Sequence, residues 1–89
     1  MAMFEVVEMR GAIAAEAAVN ADVLFDLGLM YAAGRDGSID LIAAHKWFNL
    51  AAARGRRDAV EMRREIASQM SEAEIALAQR EARAWMTKH

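Results

Sequence analysis

DVLFDLGLMYAAGRDGSIDLIAAHKWFNLAAARGRR, residues 22–57, is the stretch whose reading decides the fold. Leu24, Leu27, Gly28 and Tyr31 follow the i, i+3, i+4, i+7 spacing of one helical face. Asn20 or Asp22 stands where a side-chain oxygen can cap that helix, and the helix should end near Gly34. Gly34-Arg35-Asp36-Gly37-Ser38 is turn chemistry, after which Asp40 is placed to accept from the orphan amides of a second helix. In that helix Ala44, Trp47, Phe48, Ala51 and Ala52 share a face, His45, Lys46, Asn49 and Arg54 make a polar back, and Gly55 suits its end. Two helices joined by a short glycine-bearing bend predict an antiparallel hairpin, with Tyr31 and Trp47 interlocking across it.

Working outward, the flanks read as helix too. Towards the amino terminus, Met3 to Ala18 carries one apolar stripe at Val6, Met9, Ile13 and Ala17 and another at Phe4, Val7, Gly11, Ala14 and Ala18, which predicts a helix partly buried on both sides. Towards the carboxyl terminus, Asp58 to Gln69 predicts a helix with Ala59, Met62, Ile66 and Met70 inward and Arg56, Arg57, Arg63 and Arg64 largely outward. Ser71-Glu72-Ala73-Glu74 then reads as a capping box, in which hydroxyl and carboxylate reciprocally satisfy amides at a helix start. Ile75, Ala78, Ala82 and Trp85 give the last helix its stripe, so the short link at Met70 and Ser71 predicts a second antiparallel hairpin.

Composition agrees with an all-α chain of about five helices: proline is absent, alanine and seven methionines dominate the apolar content, and β-branched residues are few. At 56% hydrophobic and 27% charged, the 89 residues belong with globular rather than disordered chains, as one domain. No cysteine is present, which excludes disulfides, thiolate metal sites and cysteine nucleophiles. Met1 to Arg10 holds Glu5 and Glu8 without a basic segment and long apolar run, so no signal peptide is expected and the cytoplasm is the default location. No stretch reaches the roughly 18 uninterrupted apolar residues that a membrane span needs, so no membrane association is expected. Charge is uneven: residues 1–40 hold two basic against seven acidic side chains, −5, and residues 41–89 hold nine against six, +3.

The centre of the chain resembles a Sel-one-like repeat, a subclass of the tetratricopeptide-like helical hairpins. Leu27-Gly28-Leu29-Met30-Tyr31 is similar to the family's LGxxY signature, and Gly34 and Gly37 match its glycine-bearing turn. Asp40, Ala44, Trp47, Phe48, Ala51, Ala52 and Gly55 match the DxxxAxxWYxxAAxxG portion, with phenylalanine at the usual tyrosine. The likeness covers one repeat, residues 22–57. Residues 3–18 read as a degenerate capping helix, with Gly11 at the tryptophan position, and residues 58–87 as a divergent hairpin, with Arg63 and Arg64 at the LG position. The resemblance implies a short right-handed superhelix and protein–protein interaction of the adaptor or scaffold type. Its signature residues, Leu27, Gly28, Tyr31, Gly34, Gly37, Asp40, Ala44, Trp47, Phe48, Ala51, Ala52 and Gly55, are structural. Contacts to a protein or peptide partner are expected from Asp22, Phe25, Asp26, Leu29 and Met30, on the solvent side of the first helix.

Other functional classes find little footing. His45 lacks a second ligand at helical spacing and His89 stands alone, so no metal, cofactor or catalytic site is expected. Carboxylate pairs such as Glu61 and Glu65 sit among arginines, where helix salt bridges are the expected role. Arg54, Arg56, Arg57, Arg63 and Arg64 form a basic cluster and raise nucleic-acid association as the competing class. Asp58, Glu61 and Glu65 are interleaved with them and the chain is net −2, which argues against it. The surplus of apolar surface on the first helix, with methionines near helix ends, raises self-association as a homodimer.

Overall fold

The computed structural model describes residues 19–35 and 37–88, and among them the secondary structure is four α-helices without a strand. We number these α1 (Ala21–Ala33), α2 (Leu41–Ala53), α3 (Asp58–Ala67) and α4 (Glu72–Lys88). The expected capping helix at residues 3–18 lies outside the described residues, so the expectation of about five helices becomes four here.

Each helix starts and stops where local chemistry satisfies its orphan backbone groups. Asn20, rather than Asp22, caps α1: its Oδ1 accepts from the amides of Asp22 and Val23 at 3.0 and 3.1 Å. Gly34 ends α1 in the left-handed region at φ 68°, which lets the Gly34 and Arg35 amides both return to the Met30 carbonyl at 3.1 and 3.3 Å. Asp40 Oδ1 caps α2 by accepting from the Ala43 amide at 2.9 Å. At the other end, the Gly55 amide donates to Ala52 and the Arg56 amide to Ala51, the paired bonds of a Schellman closure. The capping box of α4 is complete, with the Glu74 amide donating to Ser71 Oγ at 3.1 Å and the Ser71 amide to Glu74 Oε1 at 2.8 Å. Replacing Ser71 with alanine should therefore cost about 1 kcal/mol in chemical denaturation. An unchanged denaturation midpoint would mean that packing on α2, and not the box, holds the start of α4. Helix α3 has no side-chain cap at Arg57 and ends at Ala67, two residues before the expected Gln69; Asp58 and Glu61 in its first turn oppose the dipole instead.

α2 is the centre of the packing: α1, α3 and α4 each lie against it. Opposite ends of α1 and α2 are tied, by the Asp40 amide to the Tyr31 carbonyl at 3.1 Å and by Arg54 to the Val19 carbonyl at 2.6 Å, so the two rods run antiparallel. Between these ties the Phe48 ring fills the space opposite Gly28 and meets Phe25 at a centroid distance of 5.4 Å and a tilt of 58°. On another side of α2, Trp47 meets Trp85 of α4 edge-to-face at 5.8 Å and 81°. Glu74 shares a cleft with Ser38 to Ile42, and Met86 shares one with Leu50, Ala53 and Arg54, so α4 runs parallel to α2.

Two expectations are corrected here. The link at Met70 and Ser71 does not close a hairpin of α3 on α4; both helices dock on α2, whose surface is the more apolar partner for each. Nor, among the described residues, does a ring contact join Trp47 to Tyr31. The Trp47 indole turns to Trp85, while Tyr31 and Trp47 both stay half-buried against the core.

The core itself is Leu24, Phe25, Ala44, Phe48, Leu50, Ala51, Ala59 and Ile66, joined by Ala82, with Ala78 also fully buried. Leu50 and His45 fall outside the stripe expected on α2 yet are 1% and 3% exposed. With neighbours around much of its circumference, α2 is buried well beyond one stripe, and its polar back is narrower than periodicity predicts.

Candidate functional site

The partner-facing surface expected on α1 is only partly at the surface. Asp22 and Asp26 are exposed at i, i+4 on one face, with Met30 half-buried one turn further on. Leu29 packs partly against the core. Phe25 is a correction: at 8% exposure it belongs to the core, held between the Phe48 ring and a guanidinium, because helix α1 rolls its 24/25/28 edge onto α2. It anchors the fold.

That guanidinium is Arg56, in the turn between α2 and α3. Its Nη1 donates to Asp22 Oδ1 at 2.9 Å, its Nε and Nη2 engage both oxygens of Asp58 at 2.8 and 3.2 Å, and its plane lies 3.9 Å from the Phe25 centroid. The bidentate hydrogen bonds from Arg56 hold the Asp58 carboxyl below its ordinary range and raise Arg56 in turn. Both carboxylates are exposed, so screening keeps the energetic weight of these pairs small. Their geometric effect is larger: one planar cation joins the start of α1 to the start of α3 over an aromatic face.

The other arginines of the basic cluster are engaged separately rather than as one patch. Arg54 donates to Val19 and stands 5.2 Å from the Trp85 ring; Arg63 donates to Asn49 Oδ1 on α2; Arg64 pairs with Glu61 at 2.7 Å. Among the described residues, Arg57 alone of the five makes no such contact, at the exposed start of α3. Two of the five charges are thus paired with carboxylates, leaving Arg54, Arg57 and Arg63 as the uncompensated ones.

His45 departs from expectation most. Placed by periodicity on the polar back of α2, it is buried, and its Nδ1 has no hydrogen-bond partner among the described residues. Burial, and then the charge of Arg63, push its pKa below the ordinary 6.5. The signal that could have located it was Asn49, one turn along the same face and opposite the basic run of α3.

Among the described residues no three His, Asp or Glu side chains converge as metal ligands, and no helix is long and apolar enough to cross a membrane. The clefts are shallow and open. One of them lies between α2 and α4, where Lys46, Glu81, Trp85 and Lys88 line it and Lys46 Nζ stands 4.4 Å from the Trp47 centroid.

Comparison with family models, with curated proteins and with solved structures returns no match.

Proposed function

We propose that this chain is a Sel-one-like helical-repeat module that binds another protein and performs no catalysis. Supporting the reading is the division of labour on α1. The residues that carry the resemblance, Gly28 of α1 with Ala44, Phe48 and Ala51 of α2, are buried, with Gly28 against the Phe48 ring, so they stabilise a rod pair. Asp26 stands exposed on the same helix, beside the half-buried Met30, and offers a carboxylate next to a flexible thioether, while the exposed Asp22 one turn earlier is paired with Arg56. A partner bearing a basic residue beside an apolar anchor fits that chemistry.

Asp26→Lys tests it. The exposed site tolerates the change, so circular dichroism should stay as in wild type, while a partner recovered by wild-type chain from its native cells should be retained about tenfold less well. Equal recovery by both chains would move the interface off α1. Phe25→Asp would be a poor choice, since it puts a charge into the core and tests folding instead.

A reading as a nucleic-acid binder through the Arg54–Arg64 cluster is less favoured, because Arg56 and Arg64 are already paired with carboxylates.

A further inference from the structure

We propose that His45 is an acid-operated latch at the contact between α2 and α3, and that proton uptake by its imidazole releases α3 from the central helix. The placement carries the argument. His45 is 3% exposed in the middle of α2, and its Nδ1 is buried without a hydrogen-bond partner among the described residues. Asn49 lies one turn further on the same face and accepts from Arg63 of α3, the one side-chain hydrogen bond that joins these two helices. Arg63 is also the charged group whose field reaches the imidazole.

In the neutral form with its proton on Nε2, Nδ1 is a lone acceptor with nothing to accept. A second proton makes it a donor with nothing to receive it, and adds a buried positive charge beside an arginine that cannot lose its own. Among the described residues no carboxylate acts on the imidazole to relieve the charge. On α1, Asp22 and Asp26 are exposed and Asp22 is drawn to Arg56; on α3, Asp58, Glu61 and Glu65 are exposed, the first two paired with arginines; on α4, Glu72, Glu74 and Glu81 are exposed, with Glu74 held in its capping box. Lys46, the titratable neighbour on α2 itself, is another cation and stands over Trp47. The cheapest relief is to separate His45 from Arg63, which breaks the link to Asn49 and undocks α3. That helix has little of its own to hold it once released: it is 10 residues long, has no side-chain amino-terminal cap, and is buried chiefly at Ala59 and Ile66.

The folded chain holds fewer protons on His45 than the unfolded chain does. The stabilisation is therefore complete above about 6.5 and declines as the pH falls below it. Residue-resolved amide hydrogen exchange on the full chain, corrected for intrinsic rates, tests the latch. Protection of α3 should fall on the order of tenfold between about pH 7.5 and about pH 5, while the amides of α1 lose much less. In His45→Gln, which takes no proton, that selective loss should vanish. An equal loss in the variant, or a loss uniform over all helices, overturns the proposal. If His45→Gln does not fold, the wild-type imidazole resonances decide: titration of His45 below 6.5 in step with the α3 changes supports the latch, and titration at or above 6.5 sinks it.

Discussion

Phe48→Ala is expected to remove about 3–5 kcal/mol of stability, a large fraction of the about 5–15 kcal/mol that holds a domain folded. The ring is fully buried in the middle of α2, touches Phe25, and fills the space opposite Gly28. Its removal leaves a cavity between two helices tied at both ends, by Asp40 to Tyr31 and by Arg54 to Val19, so the rods cannot simply close over it. Thermal or urea unfolding followed by circular dichroism measures the loss. A change below about 1 kcal/mol would mean that the Phe48 ring is not central to the α1–α2 contact. Phe48→Tyr adds a hydroxyl to a fully buried ring and is expected to cost less than truncation but not to stabilise.

Gly28→Ala gives the second large effect and sets two physical tendencies against each other. Within a helix, alanine is favoured over glycine by about 1 kcal/mol. A Cβ at position 28, however, would lie 2.5 Å from both Cδ1 and Cε1 of Phe48 and 3.0 Å from Cγ. The ring is fully buried with Phe25 against it, and has no open space to turn into. Overpacking of this kind costs about 1–3 kcal/mol or more, so the clash outweighs propensity and a net loss of about 1–2 kcal/mol is expected. A double-mutant cycle isolates the cause: in a Phe48→Leu background the same Gly28→Ala change should become neutral or stabilising, because the obstructing ring is gone. If Gly28→Ala destabilises equally in both backgrounds, the close approach of α1 to α2 is not what requires glycine here.

These two residues show why the central pair was legible. Glycine at 28 and alanines at 44 and 51 bring the rods close, an aromatic at 48 fills the gap, and all four lie at helical spacing in one continuous stretch. The candidate surface was less so. Asp22 and Asp26 are exposed as expected, but Phe25 sits between them in sequence and points into the core, since a turn of a few tens of degrees about the helix axis moves a border residue from solvent to interior.

Alone, the order of residues determined what depends on neighbours within a few positions: the all-helical character, the caps at Asp40 and Ser71, and the turn at Gly34. Capping is legible because a side chain and the amides it satisfies are at most three residues apart. Only the tertiary structure decided that α2 is the hub for α1, α3 and α4, that the Trp47 ring meets Trp85 rather than Tyr31, and that His45 and Leu50 are buried. These outcomes depend on which helices surround α2, and a helical period marks an apolar stripe without saying how many neighbours will cover the rest of the rod.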